Sequence, residues 1–274
     1  MTVSHDKFGV HDFSGRVACV IGGTRGIGWA VCERLARHGA SVVTCGSTAD
    51  SVRSCEERAK QDGLSIAAYM LDGASEEGID SLISTVLGRY GRLDTLVPAV
   101  GRPHKGNAAR TSAQEWDDCM SVNLRAPFLA ARRALPHLVE TGGSIVFISS
   151  IWAITATYDR VAYTVAKSGV SALTRALAVD HAKDGVRVNA VAPGYVDTPL
   201  LRKSLLDANP GGQLDDLLAE AKRRHPMLKI ATPDDVACAV EYLAGPGSSL
   251  ITGQTLVVDG GATTRFGLAD MWGR

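Results

Sequence analysis

The sequence has no surplus of either charge: 29 Lys+Arg face 29 Asp+Glu. A balanced chain has no electrostatic reason to seek a nucleic-acid backbone or an anionic membrane surface, so neither partner is expected. Long apolar runs are missing too. The longest uncharged stretch, residues 141–158, carries six Ser or Thr and two Gly, whose hydroxyls would go unpaired in a bilayer, so no membrane span is expected. The first thirteen residues hold no apolar core of a signal peptide, which puts the expected location in the cytoplasm. Six cysteines (Cys19, Cys32, Cys45, Cys55, Cys119 and Cys238) form no CxxC, and seven histidines show no HxxxH or other ligand spacing. Neither disulfides nor a metal site is indicated; the cysteines read as small buried hydrophobes of a reducing compartment.

What is present is a long, apolar, glycine-rich chain: 274 residues, 45% hydrophobic, 29 Gly. That is enough for one large domain spanning residues 1–274 with a substantial core. Short β-branched runs at residues 16–22, 41–45, 65–71, 95–100, 144–149, 187–192 and 255–258 alternate with helical patterns. The helical patterns cover residues 26–37, 49–62, 76–90, 112–140, 160–183 and 233–243. Repeated strand, helix, strand units predict an α/β fold, a Rossmann-like doubly wound sheet of seven parallel strands with helices on both faces. The longest irregular insert, residues 196–230, follows the sixth strand and breaks at Asn209-Pro210-Gly211-Gly212. An insert beyond the carboxyl end of a strand is well placed to be a substrate lid.

The first strand runs into Gly22-Gly23-Thr24-Arg25-Gly26-Ile27-Gly28 and then into a helix. Glycines permit a tight turn and close backbone approach, and a helix start offers free N–H groups to a pyrophosphate, so the loop reads as a dinucleotide cradle. Its spacing is GxxxGxG, not GxGxxG. At the end of the second strand, where an acid would grip the adenine ribose, stand Gly46, Ser47 and Thr48; no carboxylate comes before Asp50. With Arg25 projecting from the loop, this favours NADP(H), whose 2′-phosphate an acid would repel and an arginine fork would bind. NAD(H) is the alternative, with Asp50 reaching back to the ribose.

Tyr163 and Lys167 stand four apart, on one face of a helix, and Ser150 lies thirteen residues before the tyrosine at the end of a strand. Carbonyl reduction by hydride transfer creates alkoxide character that must be protonated, and the reverse reaction needs a base. An ammonium ~4 Å from a phenol at an effective dielectric of ~20 supplies about 4 kcal/mol toward the phenolate. This would draw Tyr163 toward neutral pH, while Ser150 hydrogen-bonds the substrate oxygen.

With these motifs, the chain resembles the short-chain dehydrogenase/reductase (SDR) family from about Ser14 to Thr263. Also carrying the resemblance are Asn123 in Ser121-Val122-Asn123-Leu124, Pro193-Gly194 with Thr198, and Val257-Val258-Asp259-Gly260-Gly261. The resemblance implies a tetrad of Asn123, Ser150, Tyr163 and Lys167, with Asn123 holding a water that links Lys167 to solvent. It implies that Tyr163 and Lys167 also meet the nicotinamide ribose, Asp72 and Gly73 the adenine, Ala99, Val100 and Gly101 the adenosine side through their backbone, and Pro193, Gly194, Val196 and Thr198 the nicotinamide amide. It implies a homo-oligomer, dimer or tetramer, built on the helices at 112–140 and 160–183, whose Ala126, Ala130, Ala131, Ala134, Ala172, Ala176 and Ala178 permit close approach. Two positions depart from the family pattern: Ile21 stands for the usual Thr, and Pro98-Ala99-Val100-Gly101 for Asn-Asn-Ala-Gly. Pro98 has no N–H, which predicts a local irregularity in the fourth strand.

The expected activity is an NADP(H)-dependent interconversion of a secondary alcohol and a ketone, acting on a small molecule. Trp152, Tyr158, Tyr195 and the aromatics at 266–272 are candidates to line an apolar substrate pocket, and each is equally eligible for core or subunit contact. A 3-oxoacyl-[acyl-carrier-protein] reductase is the alternative enzyme, for which Arg102, His104 and Lys105, or Lys222–Arg224, would supply a basic mouth. A non-catalytic NADP sensor is the alternative outside enzymes.

Overall fold

The computed structural model describes residues 12–264. Seven parallel strands form one sheet in the order β3-β2-β1-β4-β5-β6-β7. They are β1 Val17–Ile21, β2 Ser41–Gly46, β3 Ile66–Met70, β4 Thr95–Pro98, β5 Ser144–Ile148, β6 Arg187–Pro193 and β7 Thr255–Val258. The doubly wound α/β architecture is therefore the expected one, and the order reverses between β1 and β4, where such sheets open a crevice. β1 shows why both faces are covered. Its Val17, Cys19 and Ile21 join one core with Ile79, Leu82, Leu129 and Val170, while Ala18 and Val20 join another with Val31, Leu35, Val236 and Val240. Every β1 side chain is buried, so the strand reads as a continuous apolar run and not as an alternation.

The helices are α1 Gly26–Arg37, α2 Ala49–Gln61, α3 Glu76–Tyr90, α4 Ala113–Met120, α5 Ala126–Thr141, α6 Val161–His181, α7 Pro199–Ala208, α8 Leu214–Arg223 and α9 Pro233–Ala244. Helices α3, α5 and α6 pack on one face of the sheet, α1 and α9 on the other.

Three expectations need correction. The helix predicted over 112–140 is two helices joined by a π-turn at Ser121–Arg125. Pro127, at the start of α5, has no N–H to give the carbonyl of Asn123 four residues back, so one bond of the α-helical ladder is missing just after the π-turn. The insert at 196–230 is not irregular: α7 and α8 occupy it, packed around Leu218, Ala221 and Ile230. Of the seven alanines offered for subunit packing, Ala126, Ala130, Ala131, Ala134 and Ala178 are buried within the chain; Ala172 and Ala176 face outward.

The irregularity expected at Pro98 is present. β4 pairs with β5 only at Thr95↔Ser144 and Leu96↔Ile145, while on its other side it runs on to Ile21↔Pro98, and Ala99 N–H reaches the Ile21 carbonyl at 2.9 Å. Because alternate residues of a parallel strand face opposite neighbours, position 98 is the one that should donate to β5, and proline cannot.

Candidate functional site

At the carboxyl end of β1, Gly22 adopts φ 86° to turn the chain toward α1. A Cβ at Gly28 would lie 2.3 Å from the Gly22 carbonyl oxygen, so only glycine lets the loop close on itself. Thr44, buried on β2, braces the turn by donating to the Val20 carbonyl (2.6 Å) and accepting from Gly23 N–H (2.8 Å). No side chain caps α1, which leaves its first N–H groups to an anion. The residues present fit a dinucleotide: a bare backbone, an uncapped helix start and an exposed Arg25 with no ion pair among the described residues.

Beside it, Gly46 ends β2, its absent Cβ leaving room for the Thr24 and Ser51 side chains. Thr48 caps α2, its hydroxyl accepting from Ser51 N–H (3.3 Å), and Ser47 is exposed. Asp50 is exposed and paired with Arg53, so it is not free for the ribose. The Asp72 carboxylate accepts from Ala74 N–H at 2.9 Å with one oxygen, and Gly73 is buried beside Ile21 and Val100. A further cation was not anticipated here: Arg58 stacks 3.9 Å over the Trp29 ring and donates to the Thr24 carbonyl at 2.7 Å, tying α2 to the loop. Nothing short of the α1–α2 packing would have revealed it.

The other half of the site is a cavity of about 210 Å³ beyond the ends of β4, β5 and β6. Ile27, Ala99, Val100, Gly101, Ser150, Trp152, Tyr163, Lys167, Pro193, Gly194, Tyr195, Val196 and Thr198 all line it. The sequence therefore brings together residues more than 170 positions apart. Tyr158 does not join them: it is 96% exposed and outside the lining. The aromatics at 266–272 lie outside the described residues. Arg102, Arg160, Leu200, Leu201 and Ser204 also line the cavity; of these only Arg102 was singled out, for a different role. The signal for Arg160 was its place one helical turn before Tyr163.

At the cavity floor the Tyr163 phenol lies beside Ser150, close enough for that hydroxyl to favour the phenolate, and the same hydroxyl accepts from Trp152 N–H at 3.2 Å. Lys167 is 3% exposed; its Nζ donates to the Ile148 carbonyl at 2.9 Å and stands 5.8 Å from the Tyr163 ring centre. Burial pushes the phenol up to about 12 and the ammonium down to about 8. The expected pull of Lys167 on the phenol is thus outweighed: the ammonium is engaged by a carbonyl, and desolvation disfavours both charged forms. Asn123, fully buried, clamps the backbone of Arg102, accepting its N–H at 3.1 Å and donating to its carbonyl at 2.9 Å, with a further bond to the Cys119 carbonyl at 3.0 Å. Its side chain is therefore committed to the backbone of Arg102 and Cys119, and Pro127, four residues on, has no N–H to give the Asn123 carbonyl.

The chain is similar to known proteins over most of its length. A sequence profile described as enoyl-(acyl carrier protein) reductase matches residues 21–263. The chain is 36% identical to dehydrogenase/reductase SDR family member 4 of Caenorhabditis elegans, over 93% of this chain and 97% of the relative. The chain belongs to the short-chain dehydrogenase/reductase family. This SDR protein is also 34% identical to the cis-4-hydroxycyclohexanecarboxylate dehydrogenase of Sinomonas cyclohexanicum, over 92% of this chain and 98% of the relative. Among solved structures, a variant actinorhodin polyketide ketoreductase with NADPH superposes with a TM-score of 0.87 at 31% identity, covering 91% of this chain and 98% of that one. The protein is an oxidoreductase of this family, acting on CH–OH groups with a nicotinamide cofactor. Among the described residues no helix is long and apolar enough to cross a membrane, and no cluster of side chains could hold a metal.

Proposed function

We propose that this SDR protein interconverts a small secondary alcohol and its ketone with NADP(H), and that Tyr163 is its acid and base. The observation that carries the reading is the Ser150–Tyr163 hydroxyl pair beside buried Lys167 on the floor of the cavity. A bound nicotinamide supplies the hydride for reduction and takes it in oxidation. Ser150 holds the substrate oxygen, and Tyr163, neutral across the working range because burial raises its phenol, gives that oxygen its proton. In the oxidative direction Tyr163 takes the hydroxyl proton, and the charge of Lys167 at the ring offsets the phenolate that forms. The uncapped α1, Arg25, Ser47 and Thr48 hold the phosphates; Lys167 and Tyr163 hold the nicotinamide ribose, and the 193–198 turn the amide. Helices α7 and α8 act as the lid. The six unpaired cysteines accord with a cytoplasmic location.

A homo-oligomer is part of this reading, but of the seven alanines expected at its seam only Ala172 and Ala176 face outward. Val165, Ala172, Ala176 and Val179 form an outward apolar stripe on α6, and Phe128 and Val139 are exposed on α5.

The second reading, a 3-oxoacyl-[acyl-carrier-protein] reductase, shares the acyl carrier, though not the reacting bond, with the profile's description as an enoyl reductase. Against it, Arg223 and Arg224 are both paired with Glu220, which spends much of the charge at 222–224. A panel of ketones and β-ketoacyl thioesters, followed by NADPH absorbance, separates the two. Tyr163→Phe keeps the ring and removes the proton, so turnover should fall by about two to four orders of magnitude with cofactor binding retained. Activity within tenfold of wild type refutes the assignment, and cofactor binding with no turnover of any compound would leave a sensor.

A further inference from the structure

Three cations and no acid line the cavity: Arg102, Arg160 and Lys167 are there, without an Asp or Glu. Lys167 has its place beside Tyr163. Arg160 is not explained by the fold. It stands at the N-cap of α6, where the helix dipole disfavours a cation, and no acidic residue occupies the first turn. A residue that breaks a local rule without local compensation marks a use elsewhere. Its half-buried guanidinium gives one N–H to the His104 carbonyl at 2.9 Å and makes no ion pair among the described residues. The acid next to it, Asp159, held at φ 56°, turns its carboxylate to Arg110 at 2.5 Å.

Arg102 is exposed at the same wall, and its side chain has no hydrogen bond or ion pair among the described residues, although Asn123 fixes its backbone. Main-chain bonds join the two cations' supports: Gly106 N–H to the Asp159 carbonyl at 3.0 Å, and Val161 N–H to the Gly106 carbonyl at 3.3 Å. The cavity also has an apolar side, made by Tyr195, Leu200 and Leu201. Arg160, the N-cap just ahead of the turn that carries Tyr163, is near enough for its charge to favour the phenolate of the proposed proton donor.

We propose that the substrate is a small hydroxy or keto acid whose carboxylate is held by Arg160 and Arg102 while its carbinol oxygen meets Ser150 and Tyr163. This rests on the oxidoreductase reading above. Two guanidiniums without an acidic partner among the described residues line the same cavity, Arg102 with its whole fork free and Arg160 with one N–H given to the His104 carbonyl, and together they suit a planar oxyanion; the apolar side takes the hydrocarbon body. A phosphate on a carrier arm would satisfy the same forks, but a cavity of about 210 Å³ suits a small acid.

The test uses the full chain. Calorimetry with cyclohexanecarboxylate and the uncharged isostere cyclohexanecarboxamide should show the acid binding at least tenfold tighter. Arg160→Met should bring the two within twofold without changing carboxamide affinity, and Arg160→Lys should recover part of the difference. Arg102→Met should reduce it as well, which keeps the test sound if one variant misfolds by circular dichroism. Equal affinities in the wild type, or a preference that survives both arginine variants, overturns the proposal. So does arginine-dependent binding of pantetheine 4′-phosphate without any preference for the carboxylate. Turnover separates the two layers: methyl levulinate consumed faster than levulinate overturns the acid alone, whereas no NADPH consumption with any ketone refutes the oxidoreductase reading and leaves the binding result to decide the anion site.

Discussion

Replacing Lys167 by Met keeps a flexible apolar stem and removes a buried charge, and the consequence should be visible in stability against pH without any substrate. Burial lowers the ammonium from 10.5 to about 8, with the Cys119 thiol nearby opposing the drop. The drop is worth ~3 kcal/mol against the charged form. Between pH 8 and 10.5 the unfolded chain keeps this proton and the folded chain releases it, so stability contributed by Lys167 rises with pH across that window. From pH 7 to pH 9.5 the gain is ~2 kcal/mol. Tyr163, raised from 10 to about 12, works in the opposite sense, but only above pH 10. Urea unfolding of wild type and Lys167→Met at pH 7, 8 and 9.5, without cofactor, isolates most of the effect, since titrations away from Lys167 are common to the two proteins and its neighbour Cys119 also feels the lost charge. The wild type should gain about 2 kcal/mol on the variant as pH rises. Parallel profiles, within ~0.5 kcal/mol throughout, would show that the ammonium is solvated and that the buried-lysine geometry is wrong.

Cofactor choice should follow the cationic loop: NADP(H) is expected to exceed NAD(H) at least tenfold in kcat/KM, with Arg25→Ala weakening NADP more than NAD; a wild-type preference for NAD refutes this. The acid belongs at Ser47→Asp, which should narrow or invert the preference, because a side chain at Gly46 would stand 2.7 Å from Thr24 and Ser51 atoms. Asn123→Ala removes a fully buried amide that clamps Arg102, and should cost ~2–3 kcal/mol in urea unfolding; a loss under ~1 kcal/mol would deny the clamp. Light scattering at micromolar concentration should report an oligomer that Val179→Glu on the outward stripe of α6 weakens; a wild-type monomer disproves the association.

The strands were legible because burial on both faces leaves them uniformly apolar, and a run such as Val17–Ile21 admits few other readings. The catalytic candidates were legible because their spacing carries the chemistry: the four-position step from Tyr163 to Lys167 fixes a shared helical face whatever the rest of the fold does. Long-range juxtaposition was not. The wall that brings Arg102 and Arg160 to one cavity is made by hydrogen bonds from Gly106 to residues more than fifty positions away, and no local period encodes that. The same holds for Arg58 on Trp29, which depends on two helices meeting.

Pro127 is the instructive intermediate case. A proline in a 29-residue helical pattern is visible in the sequence, and its missing N–H forbids one bond whatever the tertiary context. Counting back four residues from it reaches Asn123, so the bond the proline forbids falls at the candidate relay residue, although the pattern over 112–140 predicts one helix. The π-turn at Ser121–Arg125 absorbs the lost bond, and the neighbouring α4 carries Cys119, whose carbonyl steadies the Asn123 amide. A continuous helix would give the Asn123 carbonyl an N–H from position 127. With that bond missing the carbonyl lacks its usual α-helical partner while the side chain grips Arg102, so the residue proposed as the relay also supports the proposed anion-binding wall.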